Sequence, residues 1–226
     1  MAKVKKALTA IGKAGLKTVA DLDPVSSFFK NVYEEYTSFS AKERAEKVAK
    51  TFEDRLEKLE KEIGKQKIVE TPNLASLFAN AQNGALTDIE SDKVGLYANA
   101  FINAIKNENM EDTKKHIFLN MLREFTKLHI EILRFFSTRH SQKGGLQRQV
   151  YQNSRTNKDI LSEIDPIFEV DREFIQVILV DLKNRSFIQL DSIDKFIVSF
   201  GIVEKQTTSF GDEFLAFISE QGKTND

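Results

Sequence analysis

Between Ala41 and Ile63, apolar residues recur every three or four positions while nearly every other position is charged. Ala45, Val48 (or Ala49), Phe52, Leu56, Leu59 and Ile63 form one narrow stripe of a helix about six turns long. About three heptads of such a stripe support an interhelical seam, either within one chain or between two copies. Glu43–Lys47, Glu46–Lys50, Asp54–Lys58 and Glu57–Lys61 place an acid four residues ahead of a base. Each such pair is worth about 0.2–0.5 kcal/mol on a solvated face. Ser40, with Glu43 three residues on, predicts a capping box at the start, and Gly64 predicts the end.

The rest of the first half continues the helical pattern. Val4, Leu8, Ile11, Gly15, Val19 and Leu22 are spaced by threes and fours, and Asp23-Pro24 breaks that run. Phe28, Phe29, Val32, Tyr33, Tyr36 and Phe39 form an aromatic stripe of core character. Asn73 predicts the cap of a helix through Ala81, with Leu74, Leu77 and Phe78 inward, and Ser91 the cap of the next, with Val94, Tyr97, Phe101 and Ile105. Residues 111–125 follow, with Ile117, Phe118, Met121, Leu122 and Phe125 inward. Short connections favour an antiparallel helical array.

After residue 125 the character changes. Thr126 predicts an N-cap for Lys127 to Phe136, with Ile130, Leu133 and Phe136 on its apolar face. A loop of roughly 20 residues follows. Asn157 predicts the cap of a short helix ending at Asp165-Pro166, and Asp171 begins another with Phe174, Val177, Ile178 and Leu182 inward. Residues 186–190 and 196–198 read as strands of a small ribbon, and a last helix spans about Ser209 to Glu220. The expected fold is therefore mainly α: a helical array with one charged, coiled-coil-like helix, then a winged-helix-like α+β module with a two-stranded ribbon. The expected segments are 1–40, 41–125 and 126–226, with a basic loop at 137–158.

Composition removes several classes of function. The 226 residues contain no Cys, so disulfides, a thiolate nucleophile and Cys-ligated metal are excluded. With 33 basic and 34 acidic residues, the net charge of −1 supplies no global field toward nucleic acid or an anionic membrane. No run approaches the roughly 20 apolar residues of a membrane span. Lys13 and Lys17 interrupt the apolar run of a secretory signal, so a cytoplasmic location is expected.

Catalytic patterns are missing as well. Phosphate-binding glycine loops and a Gly-x-Ser-x-Gly elbow do not occur. Asp112 and His116 share metal-ligand spacing, but two ligands do not make a site, and His129 reads as a structural histidine. No enzyme, cofactor, metal or small-molecule substrate is expected.

Two basic features carry the remaining functional signal. Lys3, Lys5, Lys6, Lys13 and Lys17 lie on the first amphipathic helix, with no acid before Asp21. That helix suits docking on the rest of the protein, with peripheral contact to an anionic membrane as the competing reading. Arg139, Lys143, Arg148, Tyr151, Arg155 and Lys158 lie in the long loop, which reads first as a mobile solvated insertion and, as the competing reading, as a site where cations hold phosphates and Tyr151 stacks on a base. Charge weighs against DNA for the C-terminal module, since residues 157–226 carry 7 basic against 14 acidic side chains.

Three segments carry a resemblance to a known family. Leu122-Arg123-Glu124-Phe125-Thr126-Lys127-Leu128-His129-Ile130-Glu131-Ile132-Leu133, the ending Thr207 to Ile218 and the helix Val94 to Ile105 resemble stretches of helical bacterial proteins. The nearest named group is the abortive-infection alpha family, linked to phage defence, and the likeness covers about residues 41–220. It implies a bacterial setting and a defence, prophage or stress role, with no catalytic residues to carry over. The combined expectation is a non-catalytic interaction protein that binds a protein partner or itself, or touches a membrane surface. A nucleic-acid-binding regulator is the alternative.

Overall fold

The computed structural model describes residues 39–138, 140–141, 171–190, 202–203 and 205–220. Eight α-helices lie among them: α1 (Phe39–Ile63), α2 (Lys65–Val69), α3 (Leu74–Thr87), α4 (Val94–Lys106), α5 (Asp112–Glu124), α6 (Lys127–Phe136), α7 (Arg172–Asn184) and α8 (Ser209–Ile218). The described chain is thus mainly helical, as the apolar spacing predicts. It divides into two compact units, residues 1–124 with 217–226 and residues 125–216.

In the first unit, the seam of α1 finds its partner within the same chain. Val48, Phe52, Leu56 and Leu59 are buried, and α1 packs on α3 and α4. Phe52, Phe78 and Phe101 meet there with ring centroids 5.3–6.0 Å apart. Edge-on aromatic pairs add about 0.5–1.5 kcal/mol beyond the area they bury. Asn99 and Asn103, one turn apart on α4, hold the C-terminal end of α8. Asn103 Nδ2 donates to the carbonyls of Phe217 (2.8 Å) and Ser219 (2.9 Å), and Asn99 Nδ2 to that of Ile218 (3.2 Å). These side chains satisfy carbonyls that a helix C-terminus leaves without partners. Phe217 then packs against Phe118 with ring centroids 5.4 Å apart and planes tilted by 55°, and Arg55 pairs with Glu220.

Several local expectations for this unit need correction. Helix α1 begins at Phe39, one residue ahead of Ser40. The four acid–base pairs expected along α1 do not close, because in water they gain too little to hold two long side chains together. Lys47 donates instead to the Ser91 carbonyl at 3.3 Å, and Arg44 Nε and Nη2 to the Ala85 carbonyl at 3.1 and 2.9 Å. Gly64 does end the helix, with φ of 82°, but the one-turn α2 follows. Asn73 makes no cap hydrogen bond. It takes a left-handed backbone, and its side chain donates to Asp112 Oδ2 at 2.6 Å. Helix α3 runs to Thr87, past Ala81, because Gln82, Ala85 and Leu86 continue its buried stripe. Ser91 opens a 3₁₀ turn, Ser91–Lys93, and gives no side-chain cap to α4. Ile117 stays on the solvent side of α5, while Phe118, Leu119 and Leu122 turn inward.

In the second unit the helix expected to begin at Asp171 does so. Asp171 accepts from the amides of Glu173 (2.9 Å) and Phe174 (3.1 Å) at the head of α7. Thr126 caps α6. The core gathers Phe125, Phe187 and Phe214, with centroids 5.0–5.6 Å apart. The ribbon differs from the expected one. Among the described residues Ile188 bridges Thr207, and Gln189 N donates to the Gln206 carbonyl at 2.8 Å. A second antiparallel pairing joins His140–Ser141 to Ile202–Val203, inside and beyond the stretches expected to be loop and strand. Residues 196–198, the helices expected before residue 39 and the helix expected after Asn157 lie outside the described residues.

Helix α7 departs most from expectation. Ile178 and Leu182 face inward as predicted, joined by Ile175 and Leu179. Phe174 and Val177, expected inside, are 48% and 63% exposed, and Val180 is 40% exposed. The four buried residues follow i, i+3, i+4, i+7 spacing, and Phe174 and Val177 fall at the edge of that face and beyond it.

Candidate functional site

None of the basic contact candidates singled out from the sequence lies among the described residues. Lys3, Lys5, Lys6, Lys13 and Lys17 lie outside the described residues, and so do Arg139, Lys143, Arg148, Tyr151, Arg155 and Lys158. The sites that the structure does assemble are built from other side chains.

The first is a buried ionic cluster in the first unit. Asp88 follows α3, and Lys93 and Tyr97 follow at five- and four-residue steps. Lys93 is 2% exposed, and its Nζ lies 2.5 Å from Asp88 Oδ2. The Tyr97 hydroxyl donates to the same oxygen at 2.7 Å, and the Glu90 amide to Oδ1 at 2.9 Å. Burial works to raise the Asp88 carboxyl, but the hydrogen bonds from Lys93, Tyr97 and Glu90 outweigh it and hold the group below its ordinary range. Burial, then the Asp88 hydrogen bond, push the Tyr97 phenol far above its ordinary value. A carboxylate with three donors and a phenol that keeps its proton form a lock, not an acid–base pair poised for chemistry.

A second lysine, Lys115 on α5, is equally buried at 3% exposed, but its surroundings differ. Its Nζ lies 3.3 Å from Asp112 Oδ1 on the preceding turn. Asp112 is held low, first by the Asn73 hydrogen bond and then by Lys115. Lys115 also lines an open groove of about 890 Å³ that runs past the end of α1, α2 and the 107–111 loop. Ile63, Pro72, Ile105 and Met110 give the groove apolar walls, and Lys67 and Glu108 line it as an ion pair of 2.8 Å. Glu108 is held low first by the Lys67 hydrogen bond, and the Lys115 charge acts in the same direction.

Asp112 and His116, weighed as metal ligands, go to separate partners. Asn80 Nδ2 donates to His116 Nδ1 at 2.8 Å, while Asp112 serves Asn73 and Lys115. No group of three or more potential ligands converges among the described residues.

In the second unit His129 completes a capping box. The Thr126 amide donates to its Nδ1 at 3.2 Å, and Thr126 Oγ1 accepts from the His129 amide at 3.4 Å. The ring thus does the work usually given to Glu or Gln at this position. It stacks on Phe125 with planes 3° apart, and its Nε2 lies 3.6 Å from Asp181, which also accepts from Arg185 Nε at 2.9 Å. On the outer side of α7, Phe174, Val177 and Val180 follow one another at three-residue steps as an exposed apolar stripe.

Sequence reasoning missed both buried lysines. The signal was present in their spacing. Lys93 stands four residues before Tyr97 and eight before Phe101, and Lys115 three before Phe118 and seven before Leu122, all buried.

No protein-family model matches the chain, and no curated protein or solved structure is significantly similar to it. No described helix is long and apolar enough to cross a membrane.

Proposed function

We propose that this protein works by binding another macromolecule, as a non-catalytic interaction protein. The observation that carries this reading is the outer stripe of α7. An amphipathic helix in a small unit normally turns its large apolar residues inward, and contiguous exposed ones mark interaction surfaces. Phe174, Val177 and Val180 point out from a helix that already buries Ile175, Ile178, Leu179 and Leu182. The interior ionic groups of the first unit support the same reading, since Asp88, Lys93 and Tyr97 are engaged with one another.

A winged-helix-like fold for the second unit suits this role. Helices α6, α7 and α8 would supply the helical part of such a module, and the acidic balance of residues 157–226 favours a protein partner over DNA. The resemblance to abortive-infection alpha proteins supports a bacterial defence, prophage or stress setting.

The test is a photo-crosslinking residue at position 177 of the full chain in cells, beside one at the exposed Glu57 of α1. A discrete protein adduct at 177 and none at 57 is the expected result. Absence of any adduct at 177, or adducts only to nucleic acid, would overturn the reading.

A further inference from the structure

The two buried lysines of the first unit are not satisfied in the same way. An ammonium group has three hydrogens to donate, and burying one without good acceptors costs several kcal/mol. Lys93 meets a carboxylate at 2.5 Å. Among the described residues, Lys115 has one hydrogen-bonding partner, Asp112, at 3.3 Å. Charge-assisted bonds of this kind close to about 2.7–2.9 Å when geometry allows. Asp112 is drawn the other way, because its second oxygen receives Asn73 at 2.6 Å. Lys115 is therefore a buried cation whose hydrogen-bonding capacity the neighbouring side chains leave largely unused, and it borders the groove.

The groove itself narrows the chemistry. Its volume of about 890 Å³ is that of a small-molecule site. Glu70, Glu108 and Asp112 outnumber Lys67 and Lys115, so a dianion such as phosphate is repelled. A ligand that brings one carboxylate to Lys115 must also bring a positive group for the acids around it. Ile63, Ile105 and Met110 offer an apolar side chain somewhere to lie. We infer that this groove binds a free α-amino acid with an apolar side chain, its carboxylate on Lys115 and its ammonium toward Glu108. This assignment goes beyond the binding role of α7 and stands or falls separately from it.

The experiment is a titration of the full chain with L-leucine and L-methionine, followed by amide chemical shifts. Saturable binding with shifts at residues 105–115 is expected. N-acetyl-L-leucine, which lacks the ammonium, and isoamylamine, which lacks the carboxylate, should each bind about tenfold or more weakly. Lys115→Met should lose binding to the same extent, with Lys115→Gln read in its place if the first variant fails to fold. No saturable binding of either amino acid up to about 10 mM would overturn the assignment. Equal binding by a folded Lys115 variant would do so too, as would equal binding of the acetylated compound or of inorganic phosphate.

Discussion

The ring of Tyr97 fills the space that a side chain would need at Gly84. A methyl group at position 84 would lie 2.9 Å from both Cδ1 and Cζ of that ring, and nearer still to Cε1. Helix α3 approaches α4 this closely only because residue 84 has no Cβ. Gly84→Ala should therefore destabilise the protein by about 2 kcal/mol, although alanine is the better helix former by about 1 kcal/mol. Urea unfolding measures this, and the cost should shrink in a Tyr97→Leu background, where the obstructing ring is gone.

The same tyrosine is tied to Asp88 and Lys93. Asp88→Asn would leave the Lys93 ammonium buried without its counter-charge, a loss of about 3–5 kcal/mol. Lys93→Met should cost less, since Asp88 keeps the Tyr97 hydroxyl and the Glu90 amide.

This cluster also sets two limits in pH. The folded-state pKa of Asp88 lies below its ordinary value of 3.8, so its contribution is full above that value and is lost as pH falls through the folded one. Tyr97 has the opposite sign. Its folded pKa is raised above the ordinary 10.0, so stability is full below pH 10.0 and declines as pH rises beyond it. Urea midpoints across pH should show both slopes, with the acid one reduced in Asp88→Asn. Phenolate absorbance should reveal one tyrosine that ionises only as the chain unfolds.

Gln82 presents the converse situation. It is 1% exposed on α3, and its Oε1 has no hydrogen-bond partner. A buried acceptor left in this state costs about 1–3 kcal/mol. Gln82→Met, close in shape and without the amide, should raise stability by about 1 kcal/mol in the same unfolding assay.

At the head of α6, Thr126→Ala should cost about 1 kcal/mol through loss of the cap. His129→Gln should stay closer to the parent than His129→Ala, because glutamine can still accept the Thr126 amide from this position. Thermal unfolding of the three variants checks the order.

Much of the helical layout was legible because it depends on local chemistry. The stripe of α1, the stop at Gly64 and the caps at Thr126 and Asp171 all follow from residue type and spacing within a turn or two. Asn73 and Ser91 have equally good capping chemistry, yet neither caps. Asn73 was drawn to Asp112, 39 residues away, and the chain before α4 entered as a 3₁₀ turn that seats Lys93 over Asp88. A cap competes with whatever else its side chain can reach, and that competitor is set by the fold.

The candidate sites were legible to a smaller degree for a related reason. Lys93 and Lys115 occupy apolar register, but lysine is so rarely buried without a partner that residue type outweighs spacing in a reading of sequence alone. Their partners exist only once loops close around them.

Sequence by itself determined that this chain builds helices, where most of them start or stop, and that Cys chemistry is closed to it. Tertiary structure decided which faces those helices bury. The narrow stripe of α1 left one choice, and packing on α3 and α4 took it. Helix α7 carries more apolar residues than one face can hold, and packing within its unit took Ile175, Ile178, Leu179 and Leu182, at i, i+3, i+4 and i+7, for the core. That selection left Phe174, Val177 and Val180 outside, because a helix of one unit can press only one face against its own core.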